Sequence, residues 1–319
     1  MNVRIVSTGF YAPPRIETAA QLAPRLGKSE DWIIQHTGVA RRRVAEEPME
    51  SMAAAAARQA LGDGPPPDLV INASLTPRQL IPDTSVFIQR ELGLDGIPSF
   101  SIHATCLSFL VALHNASALI GAGAYRRILI VSSEVGSLSR NFDEPESAAL
   151  IGDGAAAAVL EPSGDADSAL LAYEMGTWPA GAELTELRGG GIRCHPNLPG
   201  WSREDNLFHM NGPGVYKMAR RRVALVLARV LERAGLSRDD IDLVVPHQAS
   251  GPALAAIARY GFSEERVVNI IADYGNCIAA SPPMALHAAV EAGRLSRGDR
   301  VLLLGTGAGL SVGAVVLRW

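Results

Sequence analysis

The stretch Ile102-His103-Ala104-Thr105-Cys106-Leu107-Ser108-Phe109-Leu110-Val111-Ala112-Leu113-His114 sets the frame for the rest of this 319-residue chain. A short apolar run ends in one cysteine, and an almost uncharged segment rich in Ala and Leu follows to about Ala122. The pattern predicts a buried strand, a sharp turn, and a helix buried on most of its faces. Cys106 then sits at or near the helix N-terminus, where unpaired backbone N–H groups and the helix dipole favour a thiolate over a thiol. A thiolate is a strong nucleophile, which points to covalent catalysis. The competing reading is a small packed hydrophobe, the commoner fate of a free cysteine. On this stretch alone that reading is the simpler one.

Working outward, hydrophobic patterning predicts strands over 3–8, 68–72, 127–131, 155–160, 242–245, 267–271 and 300–304, the last leading into a glycine-rich hairpin that ends at Trp319. Helices are predicted over 49–61, 82–94 and 215–234, and another starts near Ser29, a good N-cap. From Glu161 to about His209 the text turns irregular, with Gly189-Gly190-Gly191 and several prolines. It reads as a linker and a surface excursion.

The two halves of the chain resemble each other. Asp68-Leu69-Val70 returns 174 residues later as Asp242-Leu243-Val244. Ala112-Leu113-His114 returns after 173 residues as Ala285-Leu286-His287, and Arg127-Ile128-Leu129-Ile130 after 173 as Arg300-Val301-Leu302-Leu303. Random matches would scatter, so a nearly constant shift indicates a duplicated β/α unit. It predicts two similar half-domains, residues 1–162 and 163–319, with chemistry where their loops meet. In that frame the Cys106 turn lies opposite the turn near Asn276 to Ala280, and His247 follows the strand that matches Ile71. A cysteine, a histidine and an asparagine amide on corresponding loops form a coherent acyl-transfer set.

Bulk properties agree with a soluble α/β enzyme. Net charge is −4, which gives no reason to expect nucleic acid or an anionic membrane as partner. Three cysteines (Cys106, Cys194, Cys277) without CxxC spacing argue against a metal site and a disulfide framework. The N-terminus runs straight into a strand with no signal-peptide pattern, and no apolar run has membrane-spanning length and flanks. A cytoplasmic location is the expectation.

At the cysteine, histidine and asparagine segments the sequence resembles the β-ketoacyl-acyl carrier protein synthase III family of the thiolase superfamily. The residues that carry the likeness are Cys106 with its following segment, Pro246-His247-Gln248-Ala249, and Tyr274-Gly275-Asn276 with Ala279-Ala280-Ser281. Trp32-Ile33, Thr37-Gly38, Gly152-Asp153-Gly154-Ala155 and Gly305-Thr306-Gly307-Ala308-Gly309 fit in order and spacing. The resemblance covers essentially the whole chain. It implies a five-layered αβαβα thiolase fold, a homodimer, acyl-CoA or acyl-carrier thioesters as substrates, and no cofactor.

It also implies roles. Cys106 would take an acyl group, and His247 and Asn276 would donate hydrogen bonds to a malonyl thioester oxygen as carbon dioxide leaves. The backbone N–H groups of Cys106 and Ala308 would hold the tetrahedral oxyanion. Trp32 would bind the adenine end of coenzyme A, but the two arginines usual there are His36 and Pro145 in this chain. Pro252 stands where a basic residue usually helps to dock acyl carrier protein, while Lys217 and the arginines after it could still form a basic face. Ile81 falls where the family places an acyl-pocket side chain near the dimer partner. These departures leave two other readings open, a cysteine acyltransferase that does not condense and an inactive thiolase-fold partner subunit.

The remaining motifs have plainer readings. Gly305 to Gly309 superficially matches a dinucleotide loop, but too little chain follows for a βαβ unit, so a hairpin turn lining the site is expected. Asp153 is expected to bond nearby backbone, and Cys277 to pack behind Asn276. His103, His114 and His287 are read as core histidines, Arg41-Arg42-Arg43 as a solvated patch, and Cys194-His195 as too few ligands for a metal.

Overall fold

The computed structural model describes residues 1–164 and 168–319. Unbroken apolar runs in the sequence become two sheets of matching strand order. The first contains β1 (Val3–Tyr11), β2 (Leu69–Asn72), β3 (Ser99–Ser101), β4 (Ile128–Glu134) and β5 (Gly154–Pro162), in the spatial order β1-β5-β4-β2-β3. The second contains β6 (Ala169–Gly181), β7 (Leu243–Pro246), β8 (Arg300–Gly307) and β9 (Gly309–Arg318), in the order β6-β9-β8-β7. In both, one parallel pair, β2 with β4 and β7 with β8, is followed by two antiparallel pairings, and the first sheet adds the parallel strand β3 outside β2. The duplication extends to single hydrogen bonds. The Asp68 carboxylate accepts the Arg126 and Arg127 N–H groups, and the Asp242 carboxylate accepts that of Arg300.

Alternation along the strands sorts side chains into five layers. Val70 and Leu129 point outward onto helix α1 (Met49–Leu61), whose Ala53, Ala56 and Ala57 allow a close approach to the sheet. A Cβ at Gly9 would lie 2.0 Å from the Ala56 carbonyl oxygen, which shows how close. Ile71 and Ile130 of the first sheet and Val245 and Leu303 of the second point inward onto helices α2 (Ser108–Gly121) and α4 (Ser281–Glu291). On the far side, Val244 and Leu302 pack on helix α3 (Gly212–Ala234). The result is the five-layered αβαβα thiolase fold that the sequence led us to expect.

Several expectations need correction. The supposed excursion contains the 13-residue strand β6, an integral member of the second sheet; its threonine, glycines and proline hide the strand pattern. The expected strand at 267–271 is reduced to one bridge between Val267 and Val244. The arginine run is not uniformly solvated, because Arg42 is completely buried in the short strand Arg41–Arg43. Its guanidinium donates to the Ala149 carbonyl and lies 3.9 Å from Glu17. Burial, then the neighbouring Arg140, lowers its pKa to about 10. His103 is exposed, whereas His287 is buried and hydrogen-bonds Thr8 at 2.9 Å.

Leu107 fixes how the halves meet. It is fully buried, and its side chain fills a notch formed by three glycines of the β8–β9 hairpin. A Cβ would approach it to 2.9 Å at Gly305 and to 3.3 Å at Gly307 and Gly313. Leu107→Ala leaves a cavity at this junction and is expected to lower unfolding free energy by about 2–5 kcal/mol, measurable by urea denaturation.

Candidate active site

Cys106 occupies a sharp turn two residues before α2. Thr105 makes the turn by adopting φ of 52°, a left-handed conformation that costs a non-glycine residue about 1–2 kcal/mol. Ser108 holds it in place. Its Oγ accepts the Ala104 N–H at 3.0 Å and donates to the Thr105 carbonyl at 2.7 Å. The half-buried thiol then faces the N–H of Ala308, at the tip of the β8–β9 hairpin, and its own N–H.

Burial pushes the Cys106 thiol up to about 12, and nearby Glu134 pushes the same way, while the two N–H groups pull it back. The resting group is therefore a thiol, which corrects the thiolate expected from the helix N-terminus. The dipole effect is confined to the first turn, and Cys106 precedes that turn, one residue before the N-cap Leu107. Desolvation wins.

His247 continues β7, donating its backbone N–H to Leu304 at 2.8 Å. Ala73 makes the equivalent bond to Val131 at 2.7 Å in the other half. The Gln248 amide braces the loop, donating to the carbonyls of Pro246 and Val268 and accepting the Ile270 N–H. The ring is buried, and burial lowers its pKa to about 4. Near neutral pH it is an uncharged imidazole with one N–H donor and one acceptor. Nδ1 has no hydrogen-bond partner among the described residues.

Asn276 is held across the halves. Its backbone N–H donates to Leu150 at 2.8 Å and its carbonyl accepts the Gly152 N–H at 3.1 Å. Its side-chain oxygen accepts the Ile278 N–H at 2.9 Å, and Nδ2 donates to the Ala249 carbonyl at 3.2 Å. Those bonds orient the amide and join it to the His247 loop. Gly305 completes the junction, since a Cβ there would lie 2.9 Å from Leu107 and 3.1 Å from His247.

A cavity of about 160 Å³ adjoins His247, bounded in part by Met210, Tyr216, Arg220, Ile257 and Thr306. Trp32 and His36 lie on the neighbouring helix Glu30–Thr37, which meets the His247 side where Gly38 crosses Gly251. Their rings stack with centroids 4.2 Å apart, so His36 covers one face of the indole. Lys217 is exposed on α3, and Ile81 is 85% exposed in the loop after β2. Asp153 bonds backbone that is distant in sequence and not its own turn, accepting the Ala45 and Ser137 N–H groups, and Cys277 is buried next to Asn276. Among the described residues, no group of three or more His, Cys, Asp or Glu side chains could hold a metal ion, and no helix is long and apolar enough to cross a membrane.

Sequence reasoning missed Glu134. It is a fully buried carboxyl that accepts hydrogen bonds from Leu75 and Thr76, close enough to Cys106 and Cys277 to raise both thiol pKa values. The available signal was a lone carboxylate closing the apolar run of β4.

Two duplicated sheets that bring a cysteine turn against the opposite hairpin place the chain among the thiolase-fold acyltransferases. Comparison with known proteins narrows the class. Residues 100–179 match the family model for 3-oxoacyl-[acyl-carrier-protein] synthase III, and residues 231–319 match the model for its C-terminal part. A β-ketoacyl-[acyl-carrier-protein] synthase III from Desulfitobacterium hafniense is 34% identical, covering 100% of this chain and 98% of its own length. The crystal structure of 3-oxoacyl-[acyl-carrier-protein] synthase III from Aquifex aeolicus has a TM-score of 0.91 at 34% identity, covering 99% of this chain and 100% of that one. A priming β-ketosynthase from the R1128 polyketide biosynthetic pathway has a TM-score of 0.90 at 30% identity, covering 99% and 96%. The chain belongs to the β-ketoacyl-[acyl-carrier-protein] synthase III family, and is a condensing acyltransferase.

Because burial lowers the His247 pKa, the ring stays neutral through the range where an exposed histidine titrates, near 6.5. Its ring resonances in a histidine NMR titration are expected to be flat above pH 6 and to move only toward pH 4. Protonation near 6.5 would contradict the buried neutral donor.

Proposed function

We propose that this chain joins an acyl thioester to a malonyl thioester by decarboxylative Claisen condensation, with Cys106, His247 and Asn276 as its catalytic residues. In the first half-reaction the Cys106 sulfur attacks the thioester carbonyl. The N–H groups of Cys106 and Ala308 hold the oxyanion, and the carrier thiol departs. Since the resting group is a thiol, its proton must leave as the sulfur attacks; neutral His247 is a suitable acceptor and returns the proton to the departing carrier sulfur, which leaves as a thiol and restores the neutral imidazole. In the second, His247 and Asn276 donate hydrogen bonds to the malonyl thioester oxygen while carbon dioxide leaves. The resulting enolate attacks acyl-Cys106, forming the new carbon–carbon bond and releasing the sulfur.

The observation that carries this reading is the Asn276 amide. It is fixed by Ala249 and Ile278, with a second Nδ2 hydrogen to offer, on the loop joined to that of a neutral histidine. Neutral donors stabilise an enolate without handing it a proton, and such donors are most effective in a dry, preorganised site. Simple acyl transfer would have no use for them.

The substrate-side residues are part of the same proposal. The acyl group arrives on coenzyme A or acyl carrier protein, with Trp32 and His36 at the nucleotide end of the entrance and Lys217 on a basic face for the acidic carrier. The enzyme works in the cytoplasm as a homodimer of chains whose halves are residues 1–162 and 163–319. Support for the dimer comes from the outer edge of β3, which has no strand partner among the described residues, and from Leu80 and Ile81, two large apolar side chains that are largely exposed. There Ile81 would reach the acyl pocket of the second copy and limit chain length.

Incubation with a panel of acyl-CoA and acyl-carrier thioesters should add the acyl mass to the intact protein, and Cys106→Ala should abolish the adduct. Asn276→Ala should still be acylated while condensation falls by about 10²–10³, the usual loss for a removed oxyanion donor. Acylation without any malonyl decarboxylation by the unmodified enzyme would refute the condensing assignment.

A further inference from the structure

The duplication reaches into the nucleophile turn itself. Shifted by 173 residues, Ala104, Thr105, Cys106 and Ser108 become Cys277, Ile278, Ala279 and Ser281. The two turns share their geometry. Thr105 and Ile278 are the two non-glycine residues with positive φ among the described residues, at 52° and 50°. Ser108 Oγ accepts the Ala104 N–H at 3.0 Å, and Ser281 Oγ accepts the Cys277 N–H at 2.9 Å. The Ala279 N–H is thus the counterpart of the Cys106 N–H, one wall of the proposed oxyanion hole.

In the second turn that N–H already has a carboxyl partner. It points at the Glu134 carboxylate, which also accepts the N–H groups of Leu75 at 2.5 Å and Thr76 at 3.1 Å, and the Thr76 hydroxyl at 2.7 Å. Glu134 closes β4 as Gly307 closes β8, with Ala308 just after it, so each turn is faced by the end of the other half's strand. Facing Cys106 is a donor, the Ala308 N–H; facing Ala279 is an acceptor, the Glu134 carboxylate.

We propose that Glu134 is a positioning residue that permanently fills the second, duplicated anion hole, locking the turn that presents Asn276 and leaving the Cys106 hole as the only one open to substrate. The Asn276 turn is then pinned at both ends, to Leu150 and Gly152 before it and to Glu134 after it. Burial raises the Glu134 carboxyl to about 7 against the pull of its donors. Cys106 and Cys277 face it, and Asp153 lies beyond Cys277. Ionised, it opposes thiolate formation at Cys106.

This inference rests on the condensing role proposed above, but its decisive readouts do not. Glu134→Ala should remain acylated at Cys106 while condensation falls by about tenfold to a hundredfold, as expected for a misplaced amide. Formate, a carboxylate small enough to enter the emptied hole, should raise the melting temperature of Glu134→Ala and recover several-fold of its lost rate. Chloride at equal ionic strength should not, nor should formate change the unmodified enzyme. Should Glu134→Ala not fold, iodoacetamide labelling of Cys106 decides the question without it. In the unmodified enzyme the rise of rate with pH should flatten near pH 7, as Glu134 ionises. In Glu134→Gln it should climb steadily and stand several-fold higher at pH 9. Undiminished condensation in Glu134→Ala, a loss that formate cannot relieve, or identical labelling profiles would each overturn the proposal. Failure of the unmodified enzyme to accept any acyl group would instead overturn the condensing role, since melting and labelling need no thioester.

Discussion

The contact on which the site depends is Leu107 in its glycine notch. Leu107 belongs to the half that carries Cys106, and Gly305, Gly307 and Gly313 belong to the half that carries His247 and Asn276. With no side chain at those three positions, the cysteine turn can approach the β8–β9 hairpin until the Ala308 N–H faces the sulfur. A methyl group at Gly305 would meet both Leu107 and the His247 Cβ. The glycines of this hairpin therefore serve a close approach of two protein surfaces rather than a phosphate.

Every group at the site rests uncharged, and burial is the common cause. The thiol is pushed up and the imidazole down, and the third member is an amide. Such a site holds nucleophile and donors in place without committing a charge before substrate arrives. Charge then develops only as thioester carbons react, where oriented N–H groups in a low-dielectric pocket act most strongly. The neighbouring carboxyl is the intermediate case: burial raises Glu134 to about 7, and the Leu75, Thr76 and Ala279 N–H groups pull the other way.

Much of this was legible in the sequence because duplication leaves a fixed shift. The Asp68 and Asp242 segments, with the paired arginine strands, announced two similar halves, and their carboxylates do make the same backbone bonds. The helix Met49–Leu61 showed its full extent because an alanine-rich face against a sheet has a clear period. Strand β6 stayed hidden, since an edge strand with alternating exposure carries threonine, proline and glycine that read as loop. Arg42 was missed because its burial depends on Ala149, Glu17 and Arg140, all distant in sequence. The protonation state of Cys106 was missed for a related reason. A helix N-terminus is visible as a local pattern, whereas burial in the folded chain and the nearby charge of Glu134 are not.

The central claim is that one cysteine first accepts an acyl group and then yields it to a carbon nucleophile generated beside His247 and Asn276. The most direct measurement isolates the acyl-enzyme, free of donor, and follows its intact mass in a single turnover with and without a malonyl thioester. The adduct should persist alone and disappear on mixing, with one carbon dioxide and one β-ketoacyl product, longer by two carbons, released per adduct lost. Discharge of the acyl group to water or another acceptor at the same rate, whether or not the malonyl thioester is present, would contradict the account.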